Sequence, residues 1–435
     1  MAKRAVKWLY QELPELVAKG ILTADSAEKL RKYYGEIKET GKRWALLVIF
    51  GVIGAFLIGL GIILLLAHNW EQFSRFSRAI ISLLPLLAAQ GLAGWVIIKR
   101  PQSAAFKEGS AVFLSLMVGA SIALISQTYN IPGDTEIFIL TWMLLILPVV
   151  YLMQVSLPAA IYLIGITSWA GSYSRDPQRA ILFWPLAVAA LPHFVWALRQ
   201  EAYKIRGTLL SLAIIICVNC GVSFSLGKAW PGSWVVIFPS LYTIFYAFSQ
   251  KKFKGVTANW QRSWRALGGL GILALAFSFT YRYIWQGLMS PYYGYENKVS
   301  GLAALSDNIL TLVIVAMALV LFYDFLRRKD LSNSLFCALP LLGILGYSLR
   351  GGNIVLTTLI FNGYLLALSL SRIMLGIRKN NLGEVNAGML ILGLLIILRF
   401  FDSNIGFIIK GLVFIIVGIG FLTANIMLAR RGGGR

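Results

Sequence analysis

The chain carries little with which to do redox or metal chemistry. It has two histidines, His68 and His193, and three cysteines, all in apolar segments. A four-ligand zinc centre needs partners that the run Cys217-Val218-Asn219-Cys220 does not supply, and three thiols set up no disulfide framework. Acidic residues are also scarce, at 18 against 40 Lys and Arg. No glycine-rich phosphate loop, nucleophile elbow or pair of intramembrane aspartates appears. The connecting segments are short, so there is no room for a soluble catalytic domain, and low-complexity sequence is confined to the Gly-rich tail. On these grounds the sequence assigns no metal, no cofactor and no catalytic residue.

What the chain has in excess is apolar length. Hydrophobic residues make up 58% and charged residues 13%, with a mean hydropathy of +0.74, far beyond an average soluble protein. This is the composition of an integral membrane protein, an all-α polytopic helix bundle. A formal charge of +22 in a soluble chain would suggest nucleic acid binding. Here the basic residues recur in short runs between apolar segments, the pattern of the positive-inside rule, so the partner they imply is the lipid bilayer and not nucleic acid.

Three regions follow. Residues 1–43 are mostly polar and read as a small helical hairpin, 44–429 as the transmembrane bundle and 430–435 as a basic, Gly-rich tail. In the first region Val6, Leu9, Leu13, Leu16 and Val17 recur at helical spacing and Gly20 closes the helix. Thr23 then caps a second helix that carries Asp25 in its first turn. Forty residues bury no core of their own, so the hairpin is expected to pack on the membrane body, on a second copy or on a protein partner. No cleavable signal is read at the amino terminus, and the first apolar segment serves as its own insertion signal.

That segment, 44–67, contains no charge and is long enough to cross a hydrocarbon core of about 30 Å. About fourteen spans are expected, ending with 404–428. The closely spaced pairs 136–153 with 156–172 and 331–348 with 351–370 admit a re-entrant alternative. If the amino terminus is cytoplasmic, roughly three quarters of the Lys and Arg fall inside, which supports both the even count and cytoplasmic termini. An impermeant thiol reagent is expected to label Asn297→Cys and not Lys252→Cys in intact cells; the reverse pattern would overturn the orientation.

Small residues recur every four positions in Gly51, Ala55 and Gly59, and again in Ser115, Gly119, Ala123 and Gln127, which lets helix backbones approach. Gln90, Asn219 and Asn362 fall near mid-membrane, where interhelical hydrogen bonding or a lined path are the two readings. His193 follows Pro192 and reads as a kink or packing residue. At the outer ends of the spans the topology collects polar groups on one level: His68, Asn69, Glu71, Arg75 and Arg78; Gln127, Tyr129, Asn130 and Asp134; Asp307; Arg350 and Asn353; Arg399, Asp402 and Lys410. Lys410 lies inside the last span, where an ammonium needs an acid or a watery cavity. These groups form either an outward-facing pocket with cationic side chains for a small anionic substrate or an anionic lipid headgroup, or ion pairs that fix helix ends.

Lys19-Gly20-Ile21-Leu22-Thr23 with the helix after it, Ala67-His68-Asn69-Trp70-Glu71 with Arg78, Gln127-Thr128-Tyr129-Asn130 with Gly133-Asp134, and Arg399-Phe400-Phe401-Asp402 with Lys410-Gly411 together resemble the bacterial membrane-protein family called domain of unknown function 2157. The resemblance implies a bacterial inner-membrane protein and supplies no activity. Three readings remain open: a transporter or lipid-linked flippase using the outer pocket, a non-catalytic scaffold or sensor that docks a partner through residues 1–43, and an intramembrane transferase with Glu71 or His68 as general base.

Overall fold

The computed structural model describes residues 2–34, 70–200, 205–250, 259–288, 299, 301–349 and 351–402, with isolated positions at 408, 412, 415 and 418–420. Its described residues are helical and contain no strand. They divide into two compact units, Met1–Arg78 and Ala79–Arg435.

In the first unit, α1 (Ala2–Ala18) and α2 (Ala24–Tyr34) are joined by a turn whose geometry the sequence dictates. Gly20 takes φ +69°. Its N–H reaches the Val17 carbonyl at 3.0 Å while the Ile21 N–H reaches Leu16 at 3.0 Å, the two bonds of a Schellman cap. Thr23 Oγ1 then accepts the Ser26 N–H at 3.3 Å and starts α2. Among the described residues, Leu13 and Ala27 are the buried apolar side chains here. After a 3₁₀ turn at Trp70–Gln72, Ser74 Oγ accepts the Ser77 N–H at 3.2 Å and opens α3 (Arg75–Lys99).

The second unit continues through α4 (Ala104–Tyr129), α5 (Thr135–Met153), α6 (Ser156–Ser172), α7 (Pro177–Ala180), α8 (Phe183–Gln200), α9 (Ile205–Ser225), α10 (Trp234–Ser249), α11 (Asn259–Ser278), α12 (Arg282–Leu288), α13 (Gly301–Arg327), α14 (Leu331–Phe336), α15 (Leu339–Leu349), α16 (Ile354–Arg378) and α17 (Leu382–Asp402). Among the described residues nine helices are long and apolar enough to cross a membrane, ten if the bent pair α11–α12 is one span. The expected count of about fourteen is therefore not reached among the described residues. Two of the expected spans, 44–67 and 404–428, lie outside the described residues apart from isolated positions in the second. Two more exist as helices that are short: α6 has 17 residues and α10 has 16, about 25 Å at 1.5 Å per residue against a core of about 30 Å.

Lipid chains are as apolar as leucine, so helices in a membrane are held by close packing and hydrogen bonds. Both are visible. Gly268 of α11 sits so close to α10 that an added Cβ would lie 2.6 Å from the Tyr246 backbone nitrogen, and one on Gly343 of α15 would lie 2.4 Å from the Val235 carbonyl oxygen. Around them Trp285 stacks on Phe361 at 5.3 Å between ring centroids, and Phe279 meets Phe361 edge-on at 5.1 Å.

In three places side chains from elsewhere in the unit satisfy backbone groups at a helix end, in a loop and at a bend. Glu108 of α4 accepts the Ser156 and Leu157 N–H groups at 2.8 and 2.9 Å, capping α6 from a different helix. Asp307 of α13, 2% exposed, accepts three consecutive N–H groups after α9: Gly227 at 2.9 Å, Lys228 at 2.8 Å and Ala229 at 2.7 Å. The third case is the 85° bend between α11 and α12. There the Phe279 carbonyl takes the Trp285 indole N–H at 2.8 Å, and the Thr280 carbonyl and hydroxyl oxygens take the Arg399 guanidinium at 3.3 and 3.1 Å.

Candidate functional site

A groove of about 610 Å³ lies between α3, α4 and α5, within the roughly 300–1,000 Å³ usual for small-molecule sites. Its position follows from two cross-helix bonds. Ser121 Oγ donates to the Ser82 carbonyl at 2.7 Å and fixes α4 on α3. Trp142 Nε1 donates to the Ser115 carbonyl at 2.7 Å and fixes α5 on α4. The small-residue stripe explains how the indole fits, because an added Cβ on Gly119 would lie 2.5 Å from the Trp142 ring. Ser115 and Gly119 thus seat Trp142, while Ala123 and Gln127 at the end of the stripe are exposed.

The walls of the groove are apolar, with Leu83 and Leu86 facing Val118, Ile122 and Ile125. Polar atoms are few and spaced: Gln90, Ser121 and Thr141 along its length, Ser126 and Asp134 at one end. That end is shaped by the α4–α5 turn. Asn130 adopts φ +47°, the left-handed conformation asparagine tolerates. The Ile131 N–H returns to the Ser126 carbonyl at 2.9 Å, and Ser126 Oγ donates to the Ile131 carbonyl at 3.1 Å. Asp134 stands at the N-cap of α5 without using its side chain as a cap, so its exposed carboxylate borders the groove.

The outer-level residues read from the sequence are distributed as follows. Asp134 lines the groove, whereas Gln127, Tyr129 and Asn130 are exposed beside it and do not line it. Arg78 Nε donates to the Phe73 carbonyl at 3.0 Å. Arg399 is directed at Thr280 and lies 4.4 Å above the Tyr281 ring, where it closes the α11–α12 bend. Asp307 holds the 227–229 backbone and Asn353 caps α16, accepting the Leu356 N–H at 3.0 Å. His68, Asn69, Arg350, Lys410 and the side chains of Glu71 and Asp402 lie outside the described residues. Of the mid-membrane amides, Gln90 lines the groove, Asn219 donates to the Tyr242 hydroxyl at 2.6 Å between α9 and α10, and Asn362 donates to the Thr358 carbonyl within its own helix. His193 is buried among Tyr151, Phe194 and Trp196. No group of three or more metal-ligating side chains occurs among the described residues.

Repeated helices long and apolar enough to cross a bilayer define a multi-pass integral membrane protein. Residues 14–160 match the family described as "Predicted membrane protein", domain of unknown function 2157. The resemblance drawn from the Lys19–Thr23, Ala67–Glu71 and Gln127–Asp134 stretches holds over this part, which contains the whole groove; the Arg399–Gly411 stretch lies beyond it. Neither curated proteins nor solved structures give a match.

Proposed function

We propose that the protein is a carrier of amphipathic, lipid-like molecules, a transporter of the flippase type, and that the groove between α3, α4 and α5 is where its cargo binds. The observation that carries this reading is the layout of the groove. Its apolar walls suit an acyl or prenyl chain, Asp134 and Ser126 meet the cargo's polar end, and the spaced amide and hydroxyls allow that end to move along the wall. The bend between α11 and α12 adds support, since carriers build movable parts from discontinuous helices.

Transfer of a fluorescent phospholipid across reconstituted vesicles measures it. Thr141 is exposed and lines the groove, so Thr141→Trp is expected to fill the groove and slow protein-dependent transfer about tenfold, equivalent to about 1.4 kcal/mol, with the unfolding temperature unchanged. Transfer no faster than in protein-free vesicles, or equal transfer by the variant, would remove the proposal. A second reading, docking of a protein partner through residues 1–43, is favoured by Ile21 and Tyr33, which are 66% and 82% exposed in the first unit.

A further inference from the structure

A second pocket, of about 420 Å³, lies where α11 meets α16 and α17 and shares no residue with the groove. Three arginines line it: Arg262 and Arg265, one turn apart on α11, and Arg372 on α16. Arg372 is 8% exposed. Its Nη1 donates to Glu384 of α17 at 2.7 Å and its Cζ lies 4.8 Å above the Phe336 ring. The Tyr246 hydroxyl also bonds the guanidinium, and Nε is buried with no hydrogen-bond partner among the described residues. Arg262 and Arg265 are exposed and make no ion pair among the described residues. Three permanent positive charges therefore face one pocket, and among the described residues Glu384 is the carboxylate paired with them.

Buried guanidinium groups cannot shed their charge, and one with unfilled donors is costly unless an anion completes it. The guanidinium fork matches the paired oxygens of a phosphate. The rest of the lining says which phosphate. Leu270 and Leu390 flank the arginines and are 63% and 65% exposed, so in a bilayer they meet hydrocarbon chains. A free phosphate ion has no use for them, and a phospholipid uses both parts. We infer that this pocket binds the phosphodiester headgroup of an anionic phospholipid, with Arg262 and Arg265 at its mouth, Arg372 at its base held in place by Glu384, and the acyl chains along Leu270 and Leu390. Basic pockets between membrane helices recognise anionic headgroups in this way. Occupancy ties α11, the helix that ends at the 85° bend, to the α16–α17 pair.

The test uses the full chain in neutral detergent, titrated with phosphatidylglycerol, with phosphatidylcholine of the same chains and with inorganic phosphate, reading the unfolding temperature and the lipid retained by native mass spectrometry. Phosphatidylglycerol is expected to raise the unfolding temperature and remain bound, and the other two are not. Arg262→Gln with Arg265→Gln is expected to weaken this binding about tenfold or more, about 1.4 kcal/mol per decade, while leaving the lipid-free unfolding temperature alone because both side chains are exposed. Arg262→Lys with Arg265→Lys, which keeps charge and loses the fork, is expected to fall between. Equal stabilisation by phosphatidylcholine, equal stabilisation by inorganic phosphate, or undiminished binding by the glutamine pair would each overturn the inference. Thr141→Trp is expected to leave it untouched, so the groove and this pocket stand or fall separately.

Discussion

Asp307→Ala is expected to be among the most destabilising single changes in the second unit. The carboxylate serves three successive backbone N–H groups and sits 2.8 to 2.9 Å from Gly227 and Lys228 and 2.7 Å from Ala229, with the Thr311 hydroxyl at 3.3 Å. A buried donor left without an acceptor costs about 1–3 kcal/mol, and hydrogen bonds to a charged group contribute about 1.5–3 kcal/mol each. The three bonds share one acceptor and their donors are half-buried, so they do not add in full, which gives a loss of about 2–3 kcal/mol. Asp307→Asn distinguishes the role of the second oxygen. Its amide keeps one oxygen, best placed for Lys228 and Ala229, and turns an NH₂ toward the Gly227 N–H, so its stability is expected to fall between wild type and alanine. Unfolding in detergent or nanodiscs by heat or denaturant gives the order. If alanine and asparagine both match wild type, the carboxylate does not hold this loop.

The second large effect concerns contact between helix backbones and has a built-in control. Gly268→Ala places a methyl 2.6 Å from the Tyr246 nitrogen and 2.9 Å from the Tyr242 carbonyl oxygen, and Gly343→Ala places one 2.4 Å from the Val235 carbonyl. The obstructing atoms are backbone, which cannot rotate away, so α11 or α15 must move off α10. Overpacking of this kind costs about 1–3 kcal/mol, and here the upper end is expected at both sites. Gly91 of α3 has nothing within 4 Å of where its Cβ would be. There the same substitution gains helix propensity and is expected to be neutral or to stabilise by up to about 1 kcal/mol. Opposite signs for the same chemical change are the expected result; similar losses at all three positions would mean that helix contact is not what Gly268 and Gly343 provide.

These two predictions show how unevenly the sequence revealed its structure. Uncharged apolar runs marked most helices, because a backbone in lipid has to satisfy itself and helix is the economical way to do so. Local capping was equally readable: Gly20 and Thr23 act within a few residues and their chemistry is written there. Contacts between distant helices were not readable. Asp307 could be placed on the outer level from topology, but its partners are the backbone of residues 227–229, and backbone groups carry no sequence signal. Arg399 was grouped with pocket cations on the same topological grounds and proves to serve Thr280, at a bend between α11 and α12 that no Pro or Gly announces at 279–281. Arg372 was missed because the span at 351–370 was ended before it, while α16 runs on to Arg378; a charge that falls within the continuing apolar pattern was the available signal. Of the groove, Gln90 and Asp134 were picked out individually, and only the fold shows that they share a wall.

The Glu108 contact bears on how the chain is made. The acid lies 48 residues ahead of the Ser156 N–H it receives, so α6 cannot complete its own first turn from local sequence, and Gln154 just before it takes φ +54°. On the ribosome α4 is synthesised and inserted first, α5 next, and α6 then arrives beside a carboxylate already waiting for it. Were α6 to form before α4, its first two N–H groups would lack this acceptor, and the direction of synthesis is what spares the protein that step.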